Sequence, residues 1–308
     1  MLGPMAQSEV IAIARQASVG ARIKGFVALT KPRIIELLLV TTLPTMVVAR
    51  RGLPSGWLVL ATLVGGTLSA GGANAANMYL DRDIDAVMKR TRNRPIVTGA
   101  VAPLEAVLFA AFLEGVSFVV LWRFVNLLSA VLALGAALFY VFVYTIGLKR
   151  RSTQNIVIGG AAGAVPVLVG WTAVTDHLAW APVALFALIV VWTPSHFWAL
   201  AVRYRDDYAK ANVPMLPAVE TFDRVARQII WYSVLLVGVS AVFAVVAHMG
   251  PIFWVTAMAA GAVYVLSALR LKRTGGTAKA AMSLFGYSIS YVTIIFGAMA
   301  VDVLVRYR

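Results

Sequence analysis

The sequence predicts an all-α integral membrane protein with about nine transmembrane helices, in a single domain over residues 1–308. Three observations support this fold class. Hydrophobic residues make up 61% of the chain and charged residues only 13%, which excludes the soluble globular classes. Apolar stretches of about 20 residues, the length that a spanning helix needs, recur along the chain. Lysine and arginine are concentrated in alternate connecting segments, as in polytopic membrane proteins.

The elements follow one another with short connections. We expect a cytosolic tail over residues 1–28, because the first 25 residues are partly basic and lack an apolar core long enough for a cleavable signal. The second and fifth spans contain the small-residue stretches "GGTLSAGGANAAN" (65–77) and "GGAAGAVP" (159–166), which are typical of close helix packing. The predicted spans are 33–49, 56–80, 102–122, 125–147, 156–175, 178–202, 228–248, 251–269 and 283–305.

The distribution of basic residues predicts the orientation of the chain. Most of the 27 lysines and arginines precede the first span or follow spans two, four, six and eight. These segments, with the N-terminus, should therefore be cytosolic, and the C-terminus should lie on the opposite side of a bacterial inner membrane. Topology thus accounts for much of the net charge of +14 without a nucleic-acid partner. The chain has no cysteine, which excludes disulfides, thiolate catalysis and cysteine-ligated metals.

Acidic residues are concentrated in two of the cytosolic segments. Asp81, Asp83 and Asp85 follow the second span, and Asp206 and Asp207 follow the sixth. Because four spans separate the two groups, both should lie at the same face of the membrane. The sequence therefore predicts an acidic cavity on the cytosolic side. The two segments also resemble each other weakly, which suggests a duplicated four-helix unit with a ninth helix in addition.

The end of the second span combines acids and bases. If its helix continues, Asn77, Asp81 and Asp85 lie on one face at i, i+4 and i+8, whereas Asp83 lies about 200° from Asp81. Stacked carboxylates repel each other, so positive charge should lie between them. Basic side chains in a salt-bridged helix would provide it, and so would a divalent metal.

A second acidic group at the same face favours Mg²⁺, which binds carboxylate oxygens together with substrate phosphates. Asp81, Asp85, Asp206 and Asp207 are the candidate metal ligands. Nearby bases could bind the phosphate oxygens that the metal leaves free, and a polyprenyl diphosphate would place its tail among the apolar helices. The candidate diphosphate-binding residues are Lys89, Arg90, Arg92, Arg94, Lys149, Arg150 and Arg151.

The chain resembles the UbiA superfamily of intramembrane prenyltransferases. Asn77, Asp81 and Asp85 match its N-x-x-x-D-x-x-x-D motif at the end of the second helix, and "LTKPRI" (29–34) is similar to its opening motif. The stretches 144–166 and 192–217 are similar to a haem-modifying branch. This resemblance implies a UbiA-like bundle with Asn77, Asp81 and Asp85 as catalytic residues. It implies farnesyl transfer from farnesyl diphosphate to the 2-vinyl group of haem B, which gives haem O and diphosphate, and partners such as terminal-oxidase assembly proteins or haem A synthase.

The second acidic motif departs from the usual superfamily pattern D-x-x-x-D. Asp206 and Asp207 are followed by Lys210 and Ala211 where the later acid would stand. Either water and diphosphate complete the metal shell there, or Lys210 binds phosphate directly.

His196, in "WTPSHFW", lies inside the sixth span, where a lone histidine is expensive. It is either a hydrogen-bonded packing residue or, as the haem-modifying resemblance suggests, a haem ligand. His177 and His248 fall at span ends on the opposite side, where an interfacial role is expected.

Two other functions are compatible with the same pattern. One is prenyl transfer to another acceptor, such as an aromatic acid or a chlorin. The other is cation-coupled transport, since transporters also carry intramembrane carboxylates and repeats. The acids here lie at the helix ends beside many bases rather than at the midplane, which favours phosphate binding.

Overall fold

The computed structural model describes residues 19–307, except for the side chains of residues 33–35 and 37–39. Every regular element in this part is helical, which confirms the predicted fold class. Eight helices within it are long and apolar enough to cross a membrane. They are α3 (Gly56–Leu80), α5 (Pro103–Phe124), α6 with a π-helix (Leu127–Leu148), α7 (Asn155–Thr175), α8 (Trp180–Arg203), α11 (Phe222–Val246), α12 (Pro251–Arg273) and α13 (Ala278–Arg306).

The predicted first span is also a helix, α2 (Pro32–Arg50). Together with the eight helices above it matches the expected count of about nine. A further helix, α1 (Val19–Leu29), precedes it, and the earlier part of the predicted cytosolic tail lies outside the described residues. Three short helices lie in the segments that connect the spans. They are α4 (Arg82–Val87), α9 (Arg205–Lys210) and α10 (Leu216–Val219).

The fourth span differs from the regular helix that was predicted. It begins as α6 (Leu127–Leu138) and continues as a π-helix over Phe139–Leu148. A ten-residue π-helix is unusual, since π-turns mostly occur singly and often at functional sites. It leads directly into the basic segment at 149–151, so the irregular backbone lies beside the predicted site.

Local sequence explains where several helices begin. The Ser55 hydroxyl accepts a hydrogen bond from the Leu58 N–H at 3.3 Å, and the Asn126 side chain accepts one from the Ser129 N–H at 2.7 Å. These side chains satisfy N–H groups that have no partner within the helix. Proline occupies the first turn of α2, α5 and α12, where its missing N–H has no cost.

Small residues let neighbouring helices approach closely, as predicted for the stretch 65–77; Gly170, just beyond the stretch 159–166, makes a further close contact. A Cβ at Gly72 of α3 would lie 2.9 Å from the Ala110 carbonyl oxygen of α5. A Cβ at Gly170 of α7 would lie 2.8 Å from the Thr42 carbonyl oxygen of α2. Both obstacles are backbone atoms, which cannot rotate away.

The spans of the second half are joined by buried hydroxyl groups. Ser195 of α8 bonds to the Tyr264 hydroxyl of α12 at 2.9 Å, and Ser240 of α11 bonds to the Tyr291 hydroxyl of α13 at 2.8 Å. Because a membrane interior offers no water, each hydroxyl must find its partner within the protein. These bonds fix which faces of the helices meet.

We expect Gly170→Ala to destabilise the protein by about 1–3 kcal/mol, because the new methyl group overlaps the backbone of Thr42. Gly163→Ala is the matched control on the same helix, since a Cβ there meets nothing within 4 Å. Thermal unfolding in detergent measures the difference. Equal midpoints for the two variants would contradict the close approach of α2 and α7.

Candidate active site at the charged helix ends

The polar face at the end of α3 is the centre of the candidate site. Helix α3 ends at Leu80, but the Asp81 N–H still bonds to the Asn77 carbonyl oxygen at 2.9 Å. The Asp85 N–H in turn bonds to the Asp81 carbonyl oxygen at 2.8 Å. Helical spacing therefore continues into α4. The exposed fraction is 2% for Asn77, 0% for Asp81 and 2% for Asp85, so an amide and two carboxylates are buried together.

Basic side chains from separate parts of the chain reach the two carboxylates. The Lys149 ammonium contacts Oδ2 of Asp81, and Arg94 contacts Oδ2 of Asp85 at 2.5 Å. Asn77 donates a further hydrogen bond to Oδ2 of Asp81 at 2.7 Å. Buried carboxylates need such partners, because an unpaired charge costs several kcal/mol when it leaves water (~3–5 kcal/mol).

Lys31 is a member of this cluster that the sequence reasoning assigned only to topology. Its ammonium donates to Oδ1 of Asn77 at 2.8 Å. Burial is the main cause that holds the pKa of Lys31 well below its usual range; Arg94 and Lys149 add to the effect, while Asp81 and Asp85 oppose it. The available signal was the "LTKPRI" motif, in which Lys31 directly precedes α2.

The π-helix positions three polar side chains beside α3. The Thr145 hydroxyl donates to the Tyr140 carbonyl oxygen at 2.8 Å and accepts from the Asn77 amide at 3.1 Å. The rings of Tyr140 and Tyr144 stack with centroids 5.3 Å apart. Gly159 of α7 leaves room for the Tyr144 ring, since a Cβ there would lie 2.2 Å from it. An aromatic wall thus adjoins the buried carboxylates.

Asp83 and Arg150 form a separate pair at the rim. Two guanidinium nitrogens of Arg150 lie 2.6 Å from the two carboxylate oxygens of Asp83, and one of them also donates to the Leu80 carbonyl oxygen at 2.9 Å. This pairing holds the pKa of Asp83 below its usual range. Arg150, a predicted diphosphate ligand, therefore joins the loop after the π-helix to the end of α3.

The other predicted phosphate-binding bases face solvent. None of their side chains forms an ion pair with any residue in the range 19–307. Their ammonium and guanidinium groups can therefore meet an incoming anion. These exposed residues are Lys89, Arg90, Arg92, Arg151 and Lys210.

The second acidic pair is divided by its surroundings. The Asp206 side chain is 87% exposed and lies 3.7 Å from Arg205, whereas Asp207 is buried. Among the described residues, no three acidic or histidine side chains form a cluster that could hold a metal. A cavity shared by Asp81, Asp85 and Asp207 stays a prediction.

His196 lies in an aromatic stack within α8. Its ring is centred 4.2 Å from Trp192 and 4.6 Å from Phe285, and its Nδ1 is 2.5 Å from the Ser288 hydroxyl. This geometry satisfies one ring nitrogen and packs both ring faces. The packing role that the sequence suggested is therefore present, and the haem-ligand role stays a prediction.

The residues at the end of α3 fit a divalent metal that binds oxygen. Oδ1 of Asp81 is buried and accepts no hydrogen bond from a described residue, although Arg150 lies 3.8 Å away. Buried carboxylate oxygens without a hydrogen-bond donor are rare in proteins, and a cation can satisfy such an oxygen in place of a donor. One or two carboxylates together with substrate phosphates are the ligands that Mg²⁺ commonly takes.

Comparisons with known proteins agree on one family. The model of the UbiA prenyltransferase family matches residues 38–289. A protoheme IX farnesyltransferase from Streptomyces avermitilis is 53% identical over 297 residues, which cover 94% of this chain and 97% of that protein. A solved structure of digeranylgeranylglyceryl phosphate synthase has a TM-score of 0.75 at 16% identity, over 92% of this chain and 99% of that one. A UbiA homolog from Archaeoglobus fulgidus, bound to GPP and Mg²⁺, has a TM-score of 0.59 at 16% identity, over 89% and 99%.

We expect Lys149→Met to destabilise the protein by about 3–5 kcal/mol, because it leaves the buried Asp81 carboxylate without its closest counter-charge. Arg151→Met is the matched control, since it removes an exposed charge from the same loop. The double variant Lys149→Met/Asp81→Asn should recover much of the loss. Thermal unfolding in detergent tests this, and equal midpoints for Lys149→Met and Arg151→Met would contradict the pairing.

Proposed function

This chain belongs to the UbiA prenyltransferase family, and we propose that it transfers the farnesyl group of farnesyl diphosphate to the 2-vinyl group of haem B. Its similarity to protoheme IX farnesyltransferases over nearly the whole chain supports the substrates. The observation that carries the chemistry is the buried group of Asn77, Asp81 and Asp85, with basic side chains around it, at the end of a membrane helix.

The reaction breaks the bond between farnesyl C1 and the diphosphate oxygen and forms a carbon–carbon bond to the vinyl group. The diphosphate leaves with the bonding electron pair. Water then adds to the former vinyl carbon and loses a proton, so the products are haem O, diphosphate and H⁺. The chain must therefore stabilise charge on the leaving group and keep water from the allylic cation until the new carbon–carbon bond has formed.

The buried carboxylates would hold the metal at the phosphate end of the substrate. Asp81 and Asp85 are the principal ligands in this proposal, and Asn77 orients Asp81 by its hydrogen bond. Because no three acidic side chains cluster among the described residues, Asp206 and Asp207 of α9 would join the site through water or the diphosphate. When bound, Mg²⁺ would neutralise charge on the departing diphosphate. Its binding to UbiA homologs such as that of Archaeoglobus fulgidus supports this choice of metal.

The bases have two roles in this proposal. Arg94 and Lys149 lie against the carboxylates and hold them in place, and their remaining N–H groups would donate to diphosphate oxygens. The solvent-facing side chains bind diphosphate oxygens as the substrate arrives. Arg150 joins the loop that carries Arg151 to the end of α3. The bases proposed to bind diphosphate are Lys89, Arg90, Arg94, Lys149, Arg150, Arg151 and Lys210.

Aromatic residues would shield the allylic cation. Tyr140 and Tyr144 form a stacked pair on the π-helix, whose Thr145 bonds to Asn77 beside Asp81. The electron-rich faces of such rings stabilise cations. For the acceptor, His196 is the proposed haem ligand, with Nδ1 fixed by Ser288. A histidine whose one ring nitrogen is held by a hydrogen bond keeps the other available for iron.

The eight apolar helices make this an integral membrane protein. We propose that it forms one domain in a bacterial inner membrane, with the N-terminus and the charged helix ends in the cytosol and the C-terminus outside. The positive-inside distribution of lysine and arginine supports this orientation. Because haem O serves terminal oxidases, oxidase assembly proteins or haem A synthase are the proposed partners.

We expect membranes that contain this chain to convert haem B to haem O when farnesyl diphosphate and magnesium are supplied, and to stop when magnesium is chelated. Mass spectrometry of extracted haem measures the conversion. Supplying 4-hydroxybenzoate instead of haem B tests the other acceptor class. Prenylation of that acid with no haem O would contradict the proposed acceptor, and full activity after chelation would contradict the metal.

Asp81→Asn and Asp85→Asn should each lower the rate of haem O formation by at least about 100-fold, because each removes a carboxylate that would hold the metal at the leaving group. Asp83→Asn, in the same stretch but paired with Arg150 at the rim, should keep most of the activity. Immunodetection in membranes checks that all three variants insert. Near-normal turnover by the Asp81 and Asp85 variants would refute their proposed role.

His196→Ala should weaken haem binding more than farnesyl diphosphate binding, because the substitution removes the proposed iron ligand. A spectroscopic titration of haem measures the first affinity, and calorimetry with farnesyl diphosphate measures the second. His177→Ala is the control, since His177 is exposed at the opposite face. Unchanged haem affinity in His196→Ala would leave His196 with its packing role alone.

A further inference from the structure

A cavity lies at the opposite face of the protein, away from the charged helix ends. It has a volume of about 290 Å³ and lies where α2, α7, α11 and α13 end and α8 begins. We call it the opposite-face pocket. Its polar and aromatic lining consists of Arg51, Trp171, Trp180, His248, Arg306 and Tyr307.

Two guanidinium groups converge on this pocket. The guanidinium carbons of Arg51 and Arg306 lie 5.4 Å and 5.7 Å from the centre of the Tyr307 ring. Among the described residues, none that lines the pocket is acidic. Arg51 forms no ion pair with any described residue, so the N–H groups of its guanidinium are available to a ligand.

The guanidinium group of Arg306 is positioned by a buried carboxylate. Asp302 is 0% exposed and lies 3.6 Å from Arg306. It accepts hydrogen bonds from the N–H groups of Gly250 at 2.6 Å and Phe253 at 3.3 Å, at the start of α12. Arg306 also donates to the His248 carbonyl oxygen at 2.6 Å. These contacts fix one guanidinium group and leave Arg51 as the less constrained partner.

The backbone adopts an unfavourable conformation at two lining residues. Arg51 has φ 53° and His248 has φ 51°, the left-handed region in which glycine is the usual residue at a helix end. Side chains therefore occupy two positions where glycine would be less strained. In addition, Nε1 of Trp171 is buried without a hydrogen-bond partner among the described residues. A ligand oxygen in the pocket would supply a partner for Arg51 and could supply one for Trp171.

We propose that the opposite-face pocket binds the phosphate of a phospholipid headgroup. The two arginines match a phosphate, and the tryptophans and the tyrosine are the residues found at membrane–water interfaces. Val48, Val246 and Val303 supply an apolar wall for the adjoining glycerol and acyl groups. The cavity is at the small end of ligand sites (~300–1,000 Å³), which suits a headgroup better than a porphyrin with a farnesyl tail. This site is independent of the proposed transferase chemistry.

Native mass spectrometry of the purified full chain, titrated with phosphatidylglycerol, tests the proposal. We expect Arg51→Gln to weaken binding by about tenfold, the effect of losing a charge-assisted hydrogen bond. The affinity of Arg51→Lys for phosphatidylglycerol should lie between those of Arg51→Gln and the wild type. Arg50→Gln, which removes the neighbouring charge outside the pocket, should bind as the wild type does.

Two further arms complete the test. Diacylglycerol, which lacks the phosphate, should bind at least about tenfold more weakly than phosphatidylglycerol. Inorganic phosphate is added as a competitor: displacement of the lipid would assign affinity to the phosphate anion itself, and no displacement would assign it to the whole headgroup. Equal binding of the two lipids would overturn the proposal. Equal losses of phosphatidylglycerol affinity in Arg50→Gln and Arg51→Gln, with unchanged thermal unfolding, would also overturn it.

Discussion

The burial of the Asp81 carboxylate is the constraint on which the candidate site depends. A fully buried carboxylate at the end of a membrane helix must meet positive charge, and the nearest source, Lys149, lies 68 positions along the chain. The π-helix brings Lys149 to this position, and Thr145 of the same segment bonds to Asn77. Helix α3 and the fourth span are therefore joined through a charged group, whereas the polar contacts between the spans of the second half are pairs of neutral hydroxyls such as Ser195 and Tyr264.

Close packing and buried polar groups support each other in this fold. Glycine at positions such as 72 and 170 brings the backbones of neighbouring helices together, which leaves no room for a water molecule at those contacts. A hydroxyl in such an interface must then find a protein partner, as Ser117 of α5 does in the Gly65 carbonyl oxygen of α3. Ser195 and Ser240 do the same elsewhere in the bundle, in the tyrosines of neighbouring spans. The same reasoning applies to His196, whose ring is stacked on both faces and bonded to Ser288. A dry interior is also what an allylic cation requires.

The sequence predicted the spans and the positions of the first acidic group, because both depend on local periodicity and length. Gly56–Leu80 coincides with the predicted second span, and Asn77, Asp81 and Asp85 share a face at helical spacing. It did not predict the π-helix, since its residues are as apolar as those of a regular helix. Nor did it predict that Arg150 pairs with Asp83 or that Lys31 bonds to Asn77, because pairings over such sequence separations are set by tertiary packing.

The basic side chains at the charged helix ends fall into a buried group and an exposed group with different roles. Their positions in the sequence do not reveal this division. Lys31, Arg94 and Lys149 lie against the amide and carboxylates of α3 and α4, where they offset charge that is present before any substrate arrives. The exposed bases have no such partner among the described residues, so their field extends into solvent and attracts anions towards the helix ends. A diphosphate would first meet this exposed layer and then reach the buried one. The excess of positive charge would therefore act at both steps of the proposed reaction: it stabilises the buried carboxylates, and it would concentrate a highly charged substrate at the face where they lie.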